Sequence, residues 1–194
     1  NIKNPDLIYK IHKSYADAGT DFITTNTFGA NRYKLFKSGF SPDDIISNAI
    51  KIAKKASSGQ KIALDIGPIG KLMEPSGPLN FEEAYDIFKE EVISGVKNGA
   101  DLIIIETISD IYEAKAAILA AKENSELPVI CTMTFDSDGR TFTGTDIITM
   151  VNVIENLFVD ALGVNCSLGP KEMLPNVKKI LEYSSLPVIV QPNA

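Results

Sequence analysis

Residues Asp160 to Pro170 read DALGVNCSLGP. An apolar run, Ala161 to Val164, stops abruptly at Asn165 and Cys166, and the Ser, Gly and Pro that follow cannot continue a strand. In a parallel sheet, polar groups at the carboxyl ends of buried strands project into the ligand crevice. Cys166 therefore stands where a thiolate can hold a metal or attack a substrate. The alternative is a small apolar side chain filling core, because free Cys is among the most buried residue types.

Five further β-branched runs share this form: Asp21–Phe28, Lys61–Pro68, Asp101–Ile108, Pro128–Phe135 and Pro187–Ala194. Near-continuous apolar content, rather than strict alternation, marks strands buried on both faces of a parallel sheet. Between them, Phe81–Asn98 carries apolar residues at Phe81, Ala84, Tyr85, Phe88, Val92 and Val96, the spacing of one helical face. Asn80 caps it, Glu82 and Glu83 favour its first turn, and Gly99 stops it. Ile2–Ala18, Asp110–Glu123, Asp146–Asn156 and Lys171–Tyr183 read as helices on the same grounds, and Gly70–Leu79 as an ordered loop.

Strand then helix, repeated with short links, specifies right-handed βαβ units and a parallel sheet. The expected class is α/β of the (β/α)8 TIM-barrel type, with about six of eight strands in one domain, residues 1–194. An open doubly wound sheet is the runner-up, but no G-x-G-x-x-G turn follows the first strand. The chain starts at Asn1 within a helical pattern and stops at Ala194 directly after a strand, so both ends read as cut. The outermost runs, Asp21–Phe28 and Pro187–Ala194, would then present unpaired edges, and self-association through them is expected.

A net charge of −6 and a pI near 4.9, with no basic stripe, disfavour nucleic acid as a partner. No apolar run is long enough to span a membrane. Two cysteines make no disulfide framework, which fits a reducing cytoplasmic setting.

At a barrel's catalytic face the chemistry comes from strand ends. Those ends offer Thr25, Asn26 and Thr27; Asp65 and Gly67; Glu106 and Thr107; Thr132 and Thr134; Asn165 and Cys166; Gln191 and Asn193. No Lys stands there for a Schiff base. The only His, His12, lies inside a helix on its Ile8/Ile11/Tyr15 side, which leaves no partner for a Ser or Cys hydrolase. Glu106, directly after Leu102–Ile105, is costly to bury without a cation or donors. It either binds a substrate ammonium or closes a salt bridge at the strand end. Asn26 and Asn165 supply amides to a polar ligand or only close their loops. Gly29, Gly67 and Gly169 suit backbone approach to a carboxylate, and equally suit tight turns. Cys131, in mid-strand, reads as core.

Six motifs then recur in order along the chain: TNTFGAN (Thr25–Asn31), DIGPIGKLMEP (Asp65–Pro75), IETISDIYEAKAA (Ile105–Ala117), TMTFDSDGRTFTGT (Thr132–Thr145), GVNCSLGP (Gly163–Pro170) and VQPNA (Val190–Ala194). The set resembles the homocysteine S-methyltransferase family, and more narrowly the homocysteine-binding domain of cobalamin-dependent methionine synthases. The resemblance implies a barrel with Zn²⁺ at its mouth held by three thiolates. One would be Cys166, and the other two a Cys-Cys pair expected beyond residue 194. Within the chain, Cys166 and the Asn193 oxygen are the candidate metal ligands, which is not the closed N/S set that Zn²⁺ prefers.

The resemblance makes Cys166 catalytic and puts Glu106 on the amino group of homocysteine, with loop amides on its carboxylate; Asn26, Asn165, Thr25 and Gly67, taken from the strand ends, complete the expected substrate contacts. It implies methylcobalamin as donor, carried by another domain, with cobalamin- and folate-binding modules as partners in the same enzyme. Metal coordination deprotonates a thiol whose ordinary pKa is about 8.5 and keeps the sulfur nucleophilic. Alternatives are another donor (betaine or S-methylmethionine), a metal-free structural module, and a zinc-independent enzyme using Glu106 as base.

Overall fold

The computed structural model describes residues 1–194, and its elements alternate as the repeated runs require. In chain order they are α1 (Pro5–Asp17), β1 (Phe22–Thr24), α2 (Pro42–Ala56), β2 (Lys61–Ile66), α3 (Phe81–Asn98), β3 (Leu102–Ile108), α4 (Ile111–Asn124), β4 (Val129–Met133), α5 (Ile147–Glu155), β5 (Ala161–Asn165), α6 (Pro170–Tyr183) and β6 (Val188–Gln191). All six strands pair in parallel, in sequence order from β1 to β6. No helix is long and apolar enough to cross a membrane.

The helix limits follow their caps. Asn80 accepts the Glu83 N–H at 2.8 Å, and Gly99 ends α3 in the left-handed conformation at φ 80°. The helix α2 fills a between-strand segment for which the sequence reading gives no bounds, and its capping box is complete: Ser41 accepts the Asp44 N–H at 3.2 Å while Asp44 accepts the Ser41 N–H at 2.9 Å. The first strand is shorter than Asp21–Phe28. Its pairing stops at Thr24, and Thr27 turns back to donate its N–H to the Thr25 carbonyl at 2.9 Å.

Each strand has two faces, and the core identifies them. Ile62, Leu64 and Ile66, Ile103 and Ile105, Val129 and Cys131, and Leu162 and Val164 belong to the core beneath the helices. A side chain on Gly95 of α3 would strike Leu64, which fixes that face as the helix-facing one. By the two-residue period of a strand, Asp65, Glu106, Thr132 and Asn165 share the opposite, concave face. The sheet does not close: β1 pairs only with β2, and β6 only with β5. Between those edges runs a groove of about 490 Å³, lined among others by Ile11 and His12 of α1, Asn26 after β1, and Gln191 of β6.

One irregularity matters for the site. Ile105 pairs with Cys131 and Ile108 with Met133, so β3 spends three residues where β4 spends two. This bulge falls on Glu106 and Thr107, and Thr107 adopts φ 62°. Bulges re-aim side chains and are frequent beside active sites.

Candidate functional site

Asn165, at the end of β5, organises the rim. It is 2% exposed, and both ends of its amide are engaged. Its Oδ1 accepts from the Thr107 N–H and from the Thr132 hydroxyl, each at 3.0 Å. Its Nδ2 donates to Thr107 Oγ1 at 2.7 Å and to Cys166 Sγ at 3.5 Å. The Asn165 carbonyl accepts from Thr134 at 2.6 Å. Three adjacent strands thus meet on one side chain, which spends its hydrogen-bonding capacity inside the protein rather than on a ligand.

Cys166 and Ser167 follow at φ 58° and 53°. Consecutive left-handed residues with side chains cost roughly 1–2 kcal/mol each and persist only where the surroundings impose them. Here the Cys166 N–H donates to the Gln191 carbonyl at 3.0 Å, the Leu168 N–H to the Cys166 carbonyl at 2.7 Å, and the Ser167 hydroxyl to the Phe135 carbonyl at 2.7 Å. The result turns a half-buried Cys166 thiol to within 3.8 Å of Thr107 Oγ1, at the carboxyl end of the sheet.

Glu106 lies one residue before Thr107, half-buried at the bulge. Its carboxylate forms no ion pair, so the strand-end salt bridge is not made. Burial raises its pKa. Asp65, on the concave face of β2, is 6% exposed and its Oδ1 has no hydrogen-bond partner. Burial first, then repulsion from Glu106, pushes its pKa up to about 8 against the opposing pull of Lys34. Asp65 stands among the strand-end residues in the sequence, but nothing in its spacing marks it as unpaired.

Thr25 and Gly67 shape the loops around this face. The buried Thr25 hydroxyl lies 2.7 Å from that of Thr27 and accepts the Asp65 N–H at 3.1 Å, while Thr27 donates to the Asp65 carbonyl at 2.6 Å. A Cβ on Gly67 would come within 2.5 Å of the Phe28 carbonyl and 2.6 Å of its ring. Glycine at 67 therefore lets the two loops touch. Asn26 is exposed on the groove shared with Gln191, and its carbonyl accepts from Asn1 at 2.8 Å. Asn193 is exposed, with its N–H on the Leu168 carbonyl at 2.9 Å, which ties the chain after β6 to the Cys166 loop.

The donors within this chain do not complete a metal site. No group of three or more His, Cys, Asp or Glu side chains is arranged to hold an ion. Cys131 is buried on the helix-facing side, and burial pushes its thiol up to about 12, which keeps it protonated. Cys166 remains as a single rim thiol. What the arrangement offers is a soft sulfur ligand held on a strained turn, at the same end of the sheet as two carboxylates that form no ion pair.

The family model for homocysteine S-methyltransferases matches residues 1–194. Methionine synthases from Mycobacterium tuberculosis and Mycobacterium leprae are each 28% identical over 208 residues, covering 100% of this chain. The chain spans 17% of the length of these relatives. Its fold superposes on the metallated form of the Escherichia coli homocysteine methyltransferase MmuM with a TM-score of 0.87 at 22% identity, covering 100% of this chain and 74% of that one. The apo form of MmuM gives a TM-score of 0.80 at 20% identity. With a match that runs from its first residue to its last, the chain belongs to the homocysteine S-methyltransferase family.

Proposed function

We propose that this chain is the homocysteine-binding unit of a methyltransferase that converts homocysteine to methionine. The observation that carries this reading is the Cys166 thiol, turned to the rim by two left-handed residues and lying 3.8 Å from the hydroxyl of Thr107, the residue that follows the unpaired Glu106. In the reaction the homocysteine sulfur releases its proton to solvent on binding and attacks a methyl carbon. The S–C bond forms while the bond from that carbon to the donor breaks, and the donor keeps the electron pair. Glu106 holds the ammonium, which fixes the direction in which the sulfur points. Asn165 acts one step back, positioning Cys166 and the Glu106–Thr107 bulge through its bonds to both.

Zn²⁺ enters through the family resemblance: Cys166 would be one thiolate of its set, and a Cys-Cys pair after residue 194 the other two. Residues 1–194 supply only the first, and the backbone of Asn193, the other candidate ligand, is tied to the Cys166 loop through the Leu168 carbonyl. The relatives are much longer than this chain, which favours a donor borne on a separate module over a free one. Methylcobalamin is the donor in this reading, with cobalamin- and folate-binding modules as partners and the cytoplasm as the setting. The open edges of β1 and β6 fit self-association of the isolated 194-residue chain.

The test is methyl transfer from methylcobalamin to homocysteine in the full-length protein. Cys166→Ala should abolish it, and Glu106→Gln should raise KM for homocysteine roughly 10- to 100-fold by removing one charge-assisted hydrogen bond. Undiminished turnover by Cys166→Ala would refute the reading.

A further inference from the structure

We infer that Asp65 is a second carboxylate for the substrate's ammonium group, facing it together with Glu106. The inference rests on the homocysteine reading above and deepens it. Register places Asp65 opposite Ile104, so Glu106 stands one concave-face position further along the neighbouring strand. With strands about 4.8 Å apart and two residues spanning about 6.6 Å, the two Cα atoms lie roughly 8 Å apart, a span that two carboxylates can close around one ammonium.

The rest of Asp65 is already committed. Its N–H goes to Thr25 and its carbonyl accepts from Thr27, which holds the residue fixed and leaves only the carboxylate free. That carboxylate is more than nine-tenths buried, and nothing in the protein donates to its Oδ1. Three charged groups act with it: Glu106 from β3, Glu91 from α3 and Lys34 from the loop after β1. Lys34, the only cation among them, forms no ion pair and donates instead to the Pro68 carbonyl at 2.6 Å. A buried carboxylate without donors is costly unless a ligand completes it.

This arrangement has a consequence that a purely structural Asp65 would not show. With its pKa near 8, Asp65 is mostly protonated at pH 7, and an arriving ammonium favours the ionised form. Homocysteine should therefore expel close to one more proton than 4-mercaptobutanoate, the same molecule without its amino group.

The experiment is calorimetric titration of the zinc-loaded full-length protein with both ligands, at pH 7 in two buffers of different ionisation enthalpy, for wild type and Asp65→Asn. The expected result is the extra proton in wild type, its absence in the variant, and a roughly 10- to 100-fold fall in the preference for homocysteine. Should Asp65→Asn fail to fold, the wild-type proton count decides alone. Equal proton release for the two ligands in wild type would overturn the inference, as would a variant that keeps its preference. Wild type that binds no homocysteine would instead sink the functional reading, and this proposal with it.

Discussion

Asn165 and Thr107, 58 residues apart in sequence, are joined twice: the Thr107 N–H reaches Asn165 Oδ1 at 3.0 Å, and Asn165 Nδ2 reaches Thr107 Oγ1 at 2.7 Å. The pair fastens the end of β5 to the bulge of β3, and so sets the Cys166 thiol relative to Glu106. Asn165→Ala strands the Thr107 N–H and removes the anchor of the left-handed turn. It should destabilise the protein by about 2–4 kcal/mol, read from the urea midpoint, and lower turnover together with stability. A variant with unchanged midpoint and rate would show that the pair positions nothing.

The two cysteines should differ sharply as nucleophiles. Cys131 is fully buried with its thiol pushed up to about 12, whereas Cys166 is half-buried at the rim. After chelation of any bound metal, iodoacetamide should label Cys166 in the folded protein, and Cys131 only in denaturant. Peptide mapping that finds Cys131 modified first would contradict the assignment of faces along β4.

Gly67→Ala tests the contact between loops. The added methyl would meet the Phe28 carbonyl and ring within 2.7 Å, so one loop must move. The expected cost is about 1–3 kcal/mol with weakened homocysteine binding. Gly144, at φ 92° with open space around it, is the control, since Ala there meets only backbone strain. Equal melting temperatures for Gly67→Ala and wild type would show that the two loops do not touch at this position.

Asp65 gives stability a definite pH dependence. Its pKa is about 8 folded and about 3.9 unfolded, so between these values the folded chain holds a proton that the unfolded chain has lost. Stability from this group therefore falls as pH rises from about 4 through 8. Asp65→Asn removes the dependence. Its melting temperature should exceed that of wild type by a margin that grows between pH 5 and pH 8, on the order of several degrees at the upper end. A margin that stays constant would show that Asp65 ionises normally.

Much of the fold is legible in the sequence because buried parallel strands leave near-continuous apolar runs, and all six such runs contain the observed strands. The bounds of α2 are written less openly, in the Ser41, Pro42 and Asp44 of its capping box rather than in an apolar run. The first strand is shorter than its run because Thr25 and Thr27, β-formers by type, turn their hydroxyls to Asp65 across the sheet. Cys166 and Glu106 are visible as polar residues ending apolar runs. The left-handed conformations of Thr107, Cys166 and Ser167 are not, because no glycine announces them. The inward duties of Asn165 and Thr25, and the unpaired state of Asp65, depend on residues 33 to 58 positions away, which no local pattern reports.

If the Cys166 sulfur is a metal ligand at the substrate rim, zinc per chain in the full-length protein, wild type against Cys166→Ala, reports it without further assumptions. Wild type should hold stoichiometric zinc and the variant should lose it on dialysis, with the fold intact by circular dichroism. Zinc held equally by both proteins would contradict it.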